Sequence, residues 1–159
     1  MDKALLRQAL LAKLSVELDT LTRAAHMARE EATSEESKSE HKYDMRGQEA
    51  AYLAEGQARL AAELQETITI YQTLPMPAFG ATDAIDLGAV VTLENRGKPA
   101  HYFLGPRNGG MEIEFDGKTL LVVTPQSPLG RQLPGRRVGD SVQLPGRGTV
   151  ITQRIVAVA

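Results

Sequence analysis

The chain has no cysteine and no tryptophan, and aromatic residues make up 4% of its 159 positions. The lack of cysteine excludes disulfides, thiolate metal sites and thiol catalysis, and is typical of a reducing compartment. The scarcity of rings excludes nucleic-acid binding in which successive bases stack on several side chains. No apolar run approaches the length of a membrane span, and the charged, amphipathic start is unlike a signal peptide. We therefore expect a cytoplasmic protein with no membrane partner.

Charge is distributed unevenly, although the formal net charge is only -2. Residues 1–74 carry 13 acidic and 9 basic side chains, whereas residues 84–159 carry 6 acidic and 9 basic side chains. The net charges of these two segments have opposite signs, which favours two surfaces with different partners.

Proline and glycine are absent from residues 2–46. In this stretch apolar residues recur in alternating steps of three and four, which keeps one stripe of a helix facing a partner helix. The stripe consists of Leu11, Leu14, Leu18, Leu21, Ala25, Ala28 and Ala32. A second stripe, weakest at Gly56 and Gln57, consists of Leu53, Leu60, Leu64, Thr67, Tyr71 and Leu74. Two stripes separated by a polar stretch predict an antiparallel coiled-coil hairpin over residues 1–74.

The second half of the chain has the two-residue period of β-strands. Two prolines and a glycine end the helical pattern, so that residues 75–83 are predicted to be a linker. Tight turns are predicted at residues 95–97, 116–117 and 145–148. One short helix would begin at Ser127 and Pro128 and close at Gly135. The fold class is thus α+β, with a small antiparallel β domain over residues 84–159. Its predicted strands are 89–93, 101–104, 111–115, 118–123, 141–144 and 149–158.

The stretch Ser127–Gly148 reads SPLGRQLPGRRVGDSVQLPGRG. It resembles the carboxyl-terminal domain of the bacterial transcript cleavage factors GreA and GreB, which shows Ser-Pro, an apolar residue, and later a Val-Gly-Asp turn before a strand. His101–Gly105, reading HYFLG, is similar to the family strand that ends in glycine. The resemblance covers residues 84–159. It implies an FKBP-like β domain that docks on the rim of the RNA polymerase secondary channel through Ser127 and Pro128. Gln126 stands where relatives carry an acid or asparagine.

The resemblance further implies that the coiled coil enters the secondary channel and brings acidic residues near the catalytic Mg²⁺. The chain would be a transcription elongation regulator bound to core RNA polymerase, accessory to the polymerase's own cleavage activity and not an enzyme itself. No intrinsic cofactor is expected, but Mg²⁺ would be held jointly with the polymerase. Contact with the 3′ end of nascent RNA is expected only within that complex, and the free chain is expected to be a monomer.

The acidic segment 34–44, at the predicted tip of the hairpin, departs from the family pattern. Glu40 aligns with the family glutamate, but Ser37 falls where the family aspartate belongs. Glu36, Glu40 and Asp44 stand at intervals of four and would share one face of a helix. They are therefore candidate catalytic residues and Mg²⁺ ligands, because Mg²⁺ takes few carboxylates and keeps several waters. Alternatively, these acids only solvate an exposed turn and pair weakly with Lys38, Lys42 and Arg46.

Five arginines crowd the last third of the chain: Arg131, Arg136, Arg137, Arg147 and Arg154. Guanidinium groups suit an acidic protein surface or phosphates, so we predict that Arg131, Arg136 and Arg137 join Gln126, Ser127 and Pro128 in binding polymerase. The alternative is that these arginines are ordinary charges at strand ends.

Three alternative functions stay open. The chain could be a polymerase regulator that does not stimulate cleavage or that opposes Gre factors. It could be a coiled-coil adaptor for another protein. It could also be an FKBP-like peptidyl-prolyl isomerase, although such catalysis needs an aromatic pocket and the β domain offers only Tyr102, Phe103 and Phe115.

Overall fold

The computed structural model describes residues 1–33 and 45–159, and these residues divide into two compact units. Leu11–Thr69 form one unit, and Met1–Leu10 together with Ile70–Ala159 form the other. The helices α1 (Lys3–Thr33) and α2 (Met45–Thr73) confirm the predicted hairpin. No helix within residues 1–33 or 45–159 has the length and apolar character needed to cross a membrane.

In the unit Leu11–Thr69, the predicted stripe of α1 is confirmed. Leu14 is fully buried and Ala28 is 5% exposed, while the other members of the stripe are half-buried. These positions form one face of the helix because their spacing averages 3.5 residues. The outward positions of α1 include polar and charged residues, such as the exposed ion pair of Arg23 with Asp19 at 2.6 Å, but also Val16 and Met27, which are 67% and 69% exposed.

The stripe of α2 differs from the prediction. Leu53 and Leu60 are 55% and 44% exposed, so their assignment to the buried stripe is wrong. The buried positions are instead small residues at the beginning of the helix and larger ones toward its end: Ala50, Ala54, Leu64, Thr67 and Ile68. Small side chains on both helices allow their backbones to approach closely, whereas a leucine would hold them apart.

In the other unit, six strands form one sheet within residues 84–159, and the predicted strands are confirmed. Their order in the sheet is β3-β4-β2-β1-β6-β5. The strands are β1 (Val90–Asn95), β2 (Lys98–Leu104), β3 (Glu112–Phe115), β4 (Lys118–Val123), β5 (Ser141–Pro145) and β6 (Val150–Val158). The predicted turn at Asp116 and Gly117 has φ values of 52° and 69°, the conformation that a tight two-residue hairpin requires.

One pair of strands departs from the predicted antiparallel arrangement. Among the described strands, β2 and β4 pair in parallel, with His101 opposite Leu120 and Leu104 opposite Val123. The chain still reverses direction from β2 to β3 and again from β3 to β4. Because β3 lies outside β4 at the sheet edge, β4 comes to lie beside β2 in the same direction.

This unit contains a core cluster of buried apolar side chains from the sheet and from the segment between β4 and β5. Leu93, Leu104 and Ile155 are fully buried there. Leu133, which follows β4 and precedes β5, is also fully buried, and Leu129 is 7% exposed. The segment between β4 and β5 is therefore anchored to the sheet by these two leucines, and burying each contributes roughly 2 kcal/mol.

Arg7 of α1 holds the end of α2. Its guanidinium donates hydrogen bonds of 2.7–2.8 Å to the carbonyl oxygens of Tyr71, Gln72 and Leu74. The last carbonyls of a helix have no partner within the helix, and a cation there is favoured by the helix dipole. Arg7 thus supplies from another segment the cap that α2 lacks in its own last turn.

Lys3 makes an equivalent contact with residues next to β1 and β6. Its Nζ donates to the carbonyl oxygens of Gly88 at 2.6 Å and Ala159 at 2.7 Å, and lies 5.3 Å from the centroid of the Phe79 ring. Burial lowers the pKa of the Lys3 ammonium from 10.5 to about 8. The first residues of the chain are therefore an integral part of the unit that contains the sheet.

Replacing Lys3 with methionine is expected to change how stability depends on pH. Because its pKa is lower in the folded state, the unfolded chain binds more protons at this site between about pH 8 and 10.5. Stability from Lys3 is thus complete above pH 10.5 and is lost as the pH falls through 8. Urea unfolding at pH 7.5, 8.5 and 9.5 should show that the free energy of unfolding of wild type increases with pH relative to that of Lys3→Met. A difference that stays constant or shrinks would contradict the lowered pKa.

Candidate functional site

The predicted docking residues Gln126, Ser127 and Pro128 lie in a turn between β4 and β5. The Ser127 hydroxyl donates to the carbonyl oxygen of Thr124 at 2.8 Å and accepts from the amide of Gly130 at 2.9 Å. Ser127 thus binds a free backbone amide, as predicted, but the N-cap of the helix that follows is Leu129 and not Ser127. The helix that follows is shorter than predicted, a single 3₁₀ turn over Gly130–Gln132. Pro134 explains its end, because a proline ring clashes with the carbonyl four residues earlier.

Arg131 is folded back on the same turn. Its guanidinium donates to the carbonyl oxygens of Gln126 at 3.0 Å and Ser127 at 3.4 Å, and its backbone amide donates to Ser127 at 3.0 Å. The side chain remains exposed. The structure therefore brings Gln126, Ser127, Pro128 and Arg131 together and places one positive charge beside Pro128.

An open groove of about 430 Å³ lies between this turn and the edge strand β5. Arg131 and Gln132 provide polar groups, and Leu144 and Val150 provide apolar surface. Val150 is 64% exposed. The complete lining is Pro128, Arg131, Gln132, Gln143, Leu144, Pro145 and Val150. Such a surface suits a partner that presents an apolar side chain next to an acidic one.

Gln132 makes contacts between the turn and β5 that the sequence did not indicate. Its side-chain amide bonds to the backbone of Gln143 on β5 and to the carbonyl oxygen of Pro128. A glutamine beside charged and apolar residues carries no signal of such a role, because the contact spans 11 positions and depends on the sheet.

Arg136 and Arg137 do not line the groove. The backbone of Arg136 accepts a hydrogen bond from the Ile85 amide at 2.8 Å, and its exposed side chain extends from the next turn. The Arg137 amide donates to Asp140 Oδ2 at 2.9 Å, and its guanidinium donates to the carbonyl oxygen of Thr82. The two arginines therefore form a separate basic edge on the same unit.

The predicted metal ligands and catalytic acids, Glu36, Glu40 and Asp44, lie outside the described residues. Elsewhere, within residues 1–33 and 45–159, no three His, Asp or Glu side chains are placed to share a metal ion. The prediction of a Mg²⁺ held jointly with polymerase therefore concerns the acidic segment alone.

The family model described as transcription elongation factor, GreA/GreB, C-term, matches residues 80–159, which is half of the chain. The chain belongs to the GreA/GreB family. The matched region of this GreA/GreB chain contains the turn at Ser127, the groove and the basic edge. The hairpin and the acidic segment lie before it.

The chain is also similar to solved structures of Gre-type factors. GreA factor homolog 1 (Gfh1) of Thermus thermophilus is 22% identical, with 94% of each chain covered and a TM-score of 0.39. Gfh1 of Thermus aquaticus is 21% identical over 95% of this chain and 94% of that chain, with a TM-score of 0.41. GreA/GreB from Nitrosomonas europaea is 21% identical over 65% of this chain and 78% of that chain, with a TM-score of 0.39. No curated protein sequence matches the chain.

Proposed function

We propose that this GreA/GreB-family chain binds core RNA polymerase at its secondary channel and regulates elongation. The observation that carries the proposal is the groove beside Ser127 and Pro128, in which apolar surface lies next to the Arg131 guanidinium. The turn is held by three internal contacts, of Ser127 with Thr124, of Ser127 with Gly130 and of Arg131 with Gln126. A surface that is already ordered loses little conformational entropy on binding, so its contacts contribute more fully to affinity.

The basic edge would act at longer range than the groove. Arg136 and Arg137 are exposed, and the half of the chain that contains them has more basic than acidic side chains. Exposed charges of one sign accelerate association with a surface of opposite sign, and salt weakens this effect. We therefore assign contact to the groove and steering to the basic edge.

The acidic segment would act at the polymerase active site. Glu36, Glu40 and Asp44 would offer carboxylate oxygens to a Mg²⁺ shared with the polymerase, which fits the preference of Mg²⁺ for a few carboxylates and several waters. Ser37 at the position of the family aspartate favours the second candidate, a regulator that does not stimulate cleavage. A transcript-release assay on a backtracked elongation complex distinguishes the two. Loss of release in the Glu36, Glu40 and Asp44 triple alanine variant would assign cleavage stimulation to these acids.

Exchanging both arginines of the basic edge for glutamine is expected to weaken binding to core polymerase about fivefold at low salt, because steering is lost. The dependence of the dissociation constant on salt should flatten, since fewer charge contacts remain to be screened. The exchange of Arg96 and Lys98 for glutamine is the matched control, because it removes two exposed positive charges from the β1–β2 turn. Equal affinities and salt slopes for the two double variants would contradict a role for Arg136 and Arg137. Failure of the wild-type chain to bind would contradict the proposed function itself.

The isomerase alternative has little support from the groove. None of its seven lining residues is aromatic. Phe103 is fully buried, with its ring centroid 6.3 Å from that of Tyr71, so it is unavailable to a substrate. An assay on a proline peptide is expected to show no rate above the uncatalysed isomerisation.

A further inference from the structure

The Gln132 side chain uses its whole amide group in the structure. Nε2 donates to the carbonyl oxygen of Gln143 at 2.7 Å and to that of Pro128 at 2.9 Å, and Oε1 accepts from the Gln143 amide at 2.9 Å. A glutamine amide has two N–H donors and a carbonyl acceptor, so both donors are used. The side chain is only half-exposed. Such a fully bonded polar side chain holds one rotamer instead of sampling several.

The two bonds to Gln143 imitate the pairing of β-strands. β5 is the last strand of the sheet, and its inner side pairs with β6, where Gln143 lies opposite Thr152. Its outer side would otherwise present unpaired N–H and C=O groups to any passing strand. Gln132 supplies a donor and an acceptor to these groups at Gln143, as one residue of a neighbouring strand would.

The third bond connects this edge to the docking turn. Pro128 lies immediately after Ser127, and its carbonyl oxygen accepts from the same Nε2 that contacts Gln143. The turn is thereby fastened to the sheet across the groove, at the end where Leu144 and Pro145 form the opposite wall. Ser127 and Arg131 fasten the turn to itself, whereas Gln132 is the polar contact that relates it to β5.

We propose that Gln132 is a positioning residue for polymerase binding, which fixes the Ser127–Pro128 turn relative to β5 and so sets the shape of the groove. This inference rests on the proposed function. Gln132 acts through the turn, and the partner need not touch it. Gln132 would raise the affinity for polymerase by ordering the turn in advance, since a turn that becomes ordered only on binding lowers the affinity.

The decisive comparison uses the full-length chain and purified core RNA polymerase. Gln132→Met keeps the length and flexibility of the side chain but removes all three hydrogen bonds. We expect the dissociation constant to rise about tenfold, which corresponds to the loss of a preorganised contact surface. Hydrogen exchange at the Gln143 amide should accelerate by roughly tenfold or more, because this amide would no longer be protected by a hydrogen bond to Oε1 of Gln132. The matched control is Gln8→Met on the exposed surface of α1, which should leave both quantities unchanged.

A second variant separates positioning from protection of the edge. Gln132→Glu keeps the acceptor for the Gln143 amide but loses both donors and places a carboxylate against two carbonyl oxygens. Positioning predicts weak polymerase binding by the monomer, because repulsion between the carboxylate and these carbonyl oxygens releases the turn from β5. If Gln132→Met self-associates through the opened edge while the monomer binds polymerase like wild type, Gln132 only protects the edge and the proposal is wrong. If the wild-type chain itself does not bind, the proposed function has failed before Gln132 is tested.

Discussion

Replacing Gly130 with alanine is expected to lower the free energy of unfolding of the unit that contains the sheet by about 3 kcal/mol or more. A Cβ at this position would overlap the carbonyl oxygen of Thr124, and would lie 2.6 Å from its carbonyl carbon and 2.7 Å from Ser127 Oγ. Two of these atoms are main chain, so they move only if the whole turn moves. The Ser127 hydroxyl accepts from the Gly130 amide, so the same shift breaks the contact that closes the turn.

Gly56→Ala is the matched control, since the same chemical change should act in the opposite direction. Gly56 lies within α2, and a Cβ there meets nothing within 4 Å. Alanine favours the helix over glycine by roughly 1 kcal/mol, so this variant should be more stable than wild type. Urea unfolding followed by circular dichroism measures both changes. A Gly130→Ala variant as stable as wild type would show that the segment from Thr124 to Gly130 has room that the structure does not indicate.

The turn at Ser127 and Pro128 was predictable from sequence in its chemistry and only partly in its form. Ser127 and Pro128 are a local signal for a turn with bonded amides, and Ser127 does accept from the Gly130 amide, although the helix begins at Gly130 and not at Pro128. The length of the helix was not predictable in this way, since Pro134 ends it while Gly135 suggested a later end. Both ends of the helix lie inside the predicted range, so local propensities indicated its place in the chain but not its bounds.

The strands were predictable for a different reason. Their two-residue alternation is a property of each strand alone, and residues such as Asp116 and Gly117 mark the turns between them. The neighbour of each strand is not a local property. Nothing in residues 98–123 indicates that β4 lies between β2 and β3, since the order depends on how the whole sheet packs its core.

The α2 stripe shows the limit of reasoning from hydrophobicity. Leu53 and Leu60 have the more apolar side chains, yet Ala50 and Ala54 are buried. Whether a side chain is buried between two closely packed helices depends on its volume as well as on its transfer free energy. The alanine side chain is small enough to fit between them. The alanines of α1 were correctly placed on its stripe, and their small size was the available signal that the partner positions are small too.

The contacts that complete the unit containing the sheet are made by long side chains between distant positions. Arg7 reaches the carbonyl oxygen of Tyr71, 64 positions away, and Lys3 reaches that of Ala159, 156 positions away. In the sequence both residues look like ordinary charges on the outer face of a helix. Only the fold shows that each is aimed at backbone carbonyl groups of distant segments, and these contacts bring the first ten residues into the unit.

Gly105→Ala is expected to destabilise the chain by about 3 kcal/mol in wild type and by only about 1 kcal/mol in a Tyr71→Phe background. Gly105 follows β2, and a Cβ there would overlap the Tyr71 hydroxyl, with Phe103 Cε1 and Val122 Cγ1 each 3.2 Å away. The hydroxyl cannot move aside at low cost, because it donates to the carbonyl oxygen of Arg107 at 2.7 Å on a fully buried side chain. Burial of this hydroxyl also raises the pKa of Tyr71, so the folded chain keeps its proton at a pH where the unfolded chain begins to lose it.

The double-mutant cycle isolates the hydroxyl from the rest of the ring. Tyr71→Phe alone should cost about 1 kcal/mol, the usual net value of one hydrogen bond, and should retain the packing of the ring near Phe103. A group whose pKa is raised on folding destabilises the folded state as the pH rises above its pKa in the unfolded chain, which for tyrosine is 10. Tyr71→Phe should therefore abolish the loss of stability that Tyr71 causes above pH 10. If Gly105→Ala costs the same in both backgrounds, the two residues are not coupled through the hydroxyl. The close approach to Phe103 and Val122 would then explain why the strand ends in glycine.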